Sequence, residues 1–154
     1  MVWSFFTKYV CDTQICLVRD IIQVGMSISS MSSEAWMLSI IRKTIDENKL
    51  SDKMREFSNL PANHEIEDLY PHSQEERMKY ANVLFSMIRL TEVDKEQTAI
   101  MSQATFILKE KMNFGKEEIQ ELIMKYYIPS CADGFNDGGK AFAEYLAGLY
   151  FIEI

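Results

Sequence analysis

The 154-residue chain is 47% hydrophobic and 25% charged, with a formal net charge of −7. This length and composition fit one domain with a proper core and disfavour disorder. Residues 1–60 hold seven acids and seven bases, whereas residues 61–154 hold sixteen acids and nine bases. The acidic second part argues against nucleic acid or an anionic membrane as partner. It either attracts a basic partner or simply keeps the protein soluble.

Glycine and proline are scarce, with six and three residues, and they do not recur at the short intervals that a sandwich or barrel requires. The sequence therefore predicts an all-α fold, a compact single domain of about six helices with short connections. Irregular segments are expected near residues 27–33, 58–73 and 129–139.

The cysteines, Cys11, Cys16 and Cys131, are odd in number, and their spacing matches neither a zinc ribbon nor a redox pair. We expect reduced, partly buried thiols in a reducing compartment. Charged residues such as Lys8 and Arg19 interrupt the apolar first 31 residues too often for a signal peptide or membrane span. The expected location is the cytosol.

In the first part of the chain, apolar residues at helical spacing predict a helix over residues 4–26. The serine-rich stretch 27–33 breaks the pattern, and a second helix is predicted over residues 34–47. Residues 52–57 are expected to add one or two helical turns. Residues 61–71, bounded by prolines, are predicted to form a loop containing a short helix.

In the second part, a capping box begins at Ser73 and predicts a buried central helix ending near residue 90. Asp94 is the predicted N-cap of a helix that ends near residue 112. Glu96, Gln103 and Glu110 are predicted to lie on its solvent-facing side. Residues 113–115 have the composition of a helix stop.

The last helices follow the same periodicity. A helix is predicted over residues 116–127 and ends at Pro129, and a loop over residues 132–139 follows. The final helix is predicted to bury five large apolar residues: Phe142, Tyr145, Leu146, Leu149 and Tyr150.

The densest group of candidate metal ligands is the run His64-Glu65-Ile66-Glu67-Asp68, followed by His72. On a helix, His64 and Asp68 would lie one turn apart on the same face, which suits a divalent metal. The run resembles a metalloprotease motif with Asp in place of the second His. The alternative interpretation is a solvated acidic turn.

Asp133 to Glu144 has the spacing of a calcium-binding EF-hand loop, with acids at its first, fifth and twelfth positions and Gly138 at its sixth. Phe135 stands where the third-position ligand belongs, and Lys140 replaces the usual apolar eighth residue. A helix end followed by a new helix start explains the same residues.

A buried helix (81–90), an acidic turn (91–97), a long amphipathic helix and a stop (113–119) follow one another. This order in residues 78–122 resembles the second half of a TerB-like domain, a helical module named for tellurite resistance. Proteins of that family are implicated in stress responses at the inner face of the membrane and in metal-linked assemblies. Each half of a TerB-like domain carries an acidic Asp-Gly turn, which Arg89-Leu90-Thr91 replaces here.

If metal binding carries over with the resemblance, it implies a ligand set drawn from the acidic turns of both halves. These residues are Asp46, Glu47, Glu92, Asp94 and Glu96.

The leading functional hypothesis is a non-enzymatic, bacterial cytosolic interaction module, an adaptor in stress or immunity, that meets a basic protein through acids such as Glu117 and Glu118. The alternative is a metal-dependent hydrolase that uses His64, Asp68 and His72. No resident cofactor is expected beyond that possible divalent metal. A homodimer is a third hypothesis, since Trp3 and the tyrosine-rich last helix supply apolar surface.

Overall fold

Helices dominate the computed structural model, which describes residues 8–9, 12–60, 65–91, 94–133 and 137–153. The predicted all-α class is confirmed. The elements in chain order are β1 (Lys8–Tyr9), α1 (Thr13–Met26), α2 (Glu34–Glu47), α3 (Ser51–Ser58), β2 (Glu65–Ile66), α4 (Gln74–Arg89), α5 (Asp94–Phe106), a π-helical segment (Ile107–Lys111), α6 (Lys116–Asp133) and α7 (Asp137–Leu149). The short strands β1 and β2 pair in parallel, and Lys8 lies opposite Glu65.

The first helix begins later than predicted, because Lys8 and Tyr9 lie in β1. The Asp12 carboxylate accepts a 2.9 Å hydrogen bond from the Ile15 N–H and caps α1. Burial opposes the ionisation of Asp12, but the Lys53 ammonium and the Ile15 N–H outweigh it and keep the pKa below its usual value. The N-cap, and not the apolar pattern upstream of it, sets the start of the helix.

Helix α4 is the centre of the core, as its apolar sequence predicts. It contacts α1, α2, α5 and α7, and its Ala81, Leu84 and Ile88 are fully buried. The Ser73 hydroxyl accepts a 3.2 Å hydrogen bond from the Glu76 N–H, as the predicted cap requires. Local capping and global burial therefore agree in this helix.

Helices α1 and α2 pack closely at Gly25. A Cβ at this position would lie 2.3 Å from Ile41 Cγ1 and 2.8 Å from Ile41 Cδ1. Only glycine leaves room for the isoleucine side chain, so Gly25 sets the distance between the two helices.

Among the described residues, three helical segments end on a residue other than glycine in the left-handed region, namely Lys49 (φ 57°), Asn113 (φ 55°) and Phe151 (φ 56°). After each, the next N–H turns back to a carbonyl of the last turn, as in a Schellman motif: Leu50 to Ile45 at 2.9 Å, Phe114 to Leu108 at 2.9 Å, and Ile152 to Ala147 at 2.8 Å. The predicted stop at residues 113–115 is confirmed, but Asn113 and not Gly115 makes the turn.

Pro129 does not end α6, which continues to Asp133. Proline removes one backbone donor, and the backbone stays helical around it. Of the predicted loop over residues 132–139, residues 132–133 belong to α6 and residues 137–139 to α7, and residues 134–136 lie outside the described residues.

The buried face of α7 differs from the predicted face. Leu146 is buried, but Tyr145 and Leu149 are 39% and 38% exposed, and Ala143 and Ala147 are buried instead. The small residues permit close packing of α7 against α4 and α6, and Tyr145 and Leu149 are turned toward solvent. The side chain of Phe142 lies outside the described residues.

None of the helices in the described ranges is long and apolar enough to cross a membrane.

Candidate functional site

The N-terminal parts of α4 and α6 are linked by a 3.0 Å hydrogen bond from Gln74 Nε2 to Glu121 Oε2. Exposed carboxylates gather there, and we call the group of Glu75, Glu76, Glu117 and Glu121 the acidic edge. Glu75, Glu76 and Glu117 lie in first helical turns, where the helix dipole stabilises acids, so their placement also has a local structural reason.

Arg77 and Glu118 hold this edge together. Arg77 Nε and Nη2 donate to the two carboxylate oxygens of Glu118, each at 2.9 Å. The guanidinium carbon also lies 4.7 Å from the centre of the Phe114 ring. Such a half-buried, bidentate pair is geometrically specific.

The two acids predicted to bind a partner therefore differ. Glu118 is committed to Arg77 within the protein, whereas Glu117 is exposed and makes no ion pair with any described residue. Glu75 and Glu76 lie 3.3 and 3.6 Å from the Lys79 ammonium, in exposed pairs that water screens. The acidic edge retains net negative charge toward solvent.

A second polar group is buried between α1, α4 and the segment after β2. We call Cys16, Arg19, Asp20, Tyr70 and Tyr80 the Asp20 cluster. Asp20 is only 1% exposed. Its Oδ2 accepts a 2.5 Å hydrogen bond from the Tyr80 hydroxyl, and its Oδ1 accepts a 3.0 Å bond from Arg19 Nη2.

Arg19 connects this cluster to the segment after β2. Its Nη1 lies 2.6 Å from Asp68 Oδ1 and 3.2 Å from the Ile66 carbonyl oxygen. Its Nη2 also reaches the Tyr70 hydroxyl and Cys16 Sγ, both at 3.2 Å. Its Nε donates to Asp20 Oδ1 at 3.3 Å. Because all three guanidinium nitrogens are engaged, the cluster serves to hold elements together.

Protonation in the cluster follows from burial. Burial raises the pKa of Asp20, and the hydrogen bond from Tyr80 and the charge of Arg19 offset this only in part. Burial, followed by the charge of Asp20, raises the pKa of Tyr80 well above its usual value. Burial likewise raises the pKa of Cys16, a free and fully buried thiol, which disfavours the reactive thiolate.

Beside the cluster lies a small cavity of about 140 Å³, lined in part by Gln23, Tyr70, Gln103, Phe106 and Lys111. Lys111, the last residue of the π-helical segment, lies 3.4 Å from Asp68. The walls carry charges of both signs that pair with one another.

The helical geometry predicted for the His64–Asp68 metal site is wrong. His64 lies outside the described residues, Glu65 and Ile66 form β2, and Asp68 follows in irregular backbone. Burial opposes the ionisation of Asp68, but the charges of Arg19 and Lys111 hold its pKa below the usual value. Strand pairing with β1 prevails over helix formation in this short, proline-bounded segment. His72 is exposed.

Two of the remaining predicted metal ligands, Asp46 and Glu47, have partners within the protein. Asp46 Oδ1 accepts a 3.2 Å bond from the Ser51 hydroxyl, and Glu47 lies 3.8 Å from Arg89. Glu92 falls outside the described residues, and only the backbone of Asp94, the first residue of α5, is described.

Glu96 is predicted to lie on the solvent-facing side of α5, but it is only 5% exposed. Its Oε2 accepts a 3.0 Å hydrogen bond from the indole Nε1 of Trp36 on α2. The indole donor from a neighbouring helix offsets the free-energy cost of burying this carboxylate. The periodicity of α5 alone does not reveal that donor.

The EF-hand interpretation is wrong, because a calcium loop requires turns where this chain has helix. Asp133 lies at the end of α6, and Asp137, Gly138 and Glu144 lie within α7. The alternative explanation by a helix end and a new helix start is confirmed. Across the described ranges, no three His, Cys, Asp or Glu side chains gather in a way that could hold a metal ion.

Sequence reasoning missed the Asp20 cluster, although one signal was present. Asp20 follows three residues after Leu17 and directly precedes Ile21, both on the buried stripe of α1. A carboxylate at the edge of an apolar stripe requires a buried partner. Its partner Tyr80 is 60 residues away, so no local pattern identifies it.

Comparison with known proteins gives no relative: no family model, no curated protein and no solved structure matches this chain.

Proposed function

We propose that this chain is a non-enzymatic helical protein-interaction module that meets a basic partner through the acidic edge. The observation that carries the proposal is the bidentate Arg77–Glu118 pair. It fixes the first turns of α4 and α6 together, and Glu117 and Glu121, one helical turn apart, stay exposed beside it.

The charge distribution supports a basic partner. The acidic excess of the chain lies in residues 61–154, which include every residue of the acidic edge. A surface of one sign accelerates the approach of an oppositely charged protein and repels partners of its own sign.

The biological setting that we propose is the bacterial cytosol, with an adaptor role in a stress response or in immunity. The resemblance of residues 78–122 to TerB-like domains supports this role. The exposure of Tyr145 and Leu149 on α7 is compatible with a homodimer as the working form.

The proposal is tested by affinity capture from source cells with two charge-matched double variants. Glu117→Lys with Glu121→Lys alters the acidic edge, and Glu144→Lys with Glu153→Lys alters exposed acids on α7 and after it. Each double variant changes the formal net charge of the chain by +4, from −7 to −3. Glu118 is left intact because its replacement would break the pair with Arg77.

We expect the wild type and the α7 variant to capture the same basic protein, and the acidic-edge variant to lose it. Raising the salt from about 0.1 M to 0.5 M should release that protein, because salt screens exposed charges. Equal capture by both double variants, or equal loss, would contradict the proposal.

A further inference from the structure

An apolar groove of about 320 Å³ lies between α2 and α3, in the charge-balanced first part of the chain. Ile41 and Ile45 are buried along it, Met54 contributes from α3, and Leu38 is 43% exposed. This volume lies at the lower end of the range for pockets that hold a ligand group.

The groove continues along α2. A second depression, of about 400 Å³, is lined by Ala35, Leu38, Ser39, Arg42, Lys43 and Asp46. Leu38, Arg42 and Asp46 line both depressions. Together they follow α2 over about three helical turns, or roughly 16 Å, which is the length over which a helix offers anchors at i, i+4 and i+7.

Charge at the rim distinguishes possible occupants. Arg42 is exposed and makes no ion pair with any described residue. Asp46, one turn further along, accepts a hydrogen bond from the Ser51 hydroxyl instead. The ammonium of Lys43 lies 5.9 Å from the centre of the Trp36 ring. The rim therefore presents two cations and one anion that is already hydrogen-bonded.

We propose that this groove binds an amphipathic helix of a partner protein, which inserts leucine-type side chains beside Leu38 and Met54 and places a carboxylate on Arg42. An unpaired guanidinium binds a carboxylate through two parallel hydrogen bonds. A basic helix would bring like charges against Arg42 and Lys43. This site lies on α2 and α3 and is independent of the acidic edge on α4 and α6.

The test uses two synthetic peptides of about 20 residues, above the length at which isolated helices are marginal in water. Both carry leucine at i, i+4 and i+7, and one carries glutamate where the other carries lysine. Binding to the full chain is measured by titration, with the methyl NMR signal of Met54 reporting occupancy of the groove. We expect the glutamate peptide to bind at least about fivefold more tightly and to shift the Met54 signal.

Arg42→Glu should reverse this preference, whereas Arg55→Glu is the matched control. Arg55 is exposed on α3, pairs only weakly with Asp52 at 3.6 Å, and gives the same change in net charge. Leu38→Ala should weaken both peptides. Equal binding of both peptides to the wild type, no Met54 shift, or equal effects of Arg42→Glu and Arg55→Glu would each overturn the proposal.

Discussion

The Tyr80 hydroxyl donates a 2.5 Å hydrogen bond to Asp20 Oδ2, which joins α4 to α1 across 60 residues of sequence. Both side chains are buried. Tyr80→Phe removes the donor and leaves the buried carboxyl group with fewer partners. We expect it to lower the free energy of unfolding near pH 7 by about 1.5–3 kcal/mol, measured by urea denaturation. A loss below about 0.5 kcal/mol would show that the bond contributes little.

The cost of Tyr80→Phe should depend on pH. The folded-state pKa of Asp20 is raised above its usual value of 3.8. The contribution of this carboxyl group to stability is therefore fully present below pH 3.8 and is lost as the pH rises through the folded-state pKa. The substitution removes a donor that favours the ionised form, so it raises this pKa further. We expect the difference in unfolding free energy between the wild type and the variant to grow from about pH 4 to pH 7. A constant difference would contradict the assignment.

The hydrogen bond between Trp36 and Glu96 yields a second prediction. Trp36→Phe keeps an aromatic ring but removes the indole donor from a carboxylate that is 5% exposed. We expect a loss of about 1–3 kcal/mol in urea denaturation. Glu96→Gln retains an acceptor oxygen and should cost less than Trp36→Phe. The reverse order would show that the indole N–H is not what stabilises the buried carboxylate.

Close packing at Gly25 predicts opposite effects of alanine at two glycines. Gly25→Ala places a methyl group against Ile41 and should destabilise the protein by about 1–3 kcal/mol. Gly148→Ala on α7 has nothing within 4 Å of its new Cβ and should stabilise by about 0.5–1 kcal/mol. Thermal unfolding of both variants distinguishes these outcomes, and a stable Gly25→Ala variant would refute the close approach of α1 and α2.

At the left-handed helix ends, substitution by glycine is expected to raise the free energy of unfolding by an amount that depends on the residue replaced. Lys49→Gly and Phe151→Gly relieve a conformation that L side chains disfavour, so each should raise the unfolding free energy by about 0.5–1 kcal/mol. Asn113→Gly should give a smaller gain, because asparagine tolerates this region better. Chemical denaturation of the three variants gives the ranking, and an equal effect at all three sites would contradict the argument.

Much of the helical framework was predictable because its causes are local. The Ser73 cap, the buried stripe of α5 and the stop after Met112 depend on residues a few positions apart. The predictions were wrong where a local sequence signal was overridden by the surrounding structure. Pro129 is accommodated within α6, and the His64–Asp68 segment contains a strand residue pair in place of a helix.

The sequence by itself determined the all-α class, the central position of α4 and the acidity of the second part, because periodicity and composition encode them directly. Only the tertiary structure decided that Glu96 is buried, that Asp20 is enclosed by Tyr80 and Arg19, and that Glu118 is bound by Arg77. The partners Trp36, Tyr80 and Arg77 lie between 41 and 60 residues away. Helical spacing gives the face on which a carboxylate lies, but its burial requires a donor from another helix, and packing alone supplies that donor.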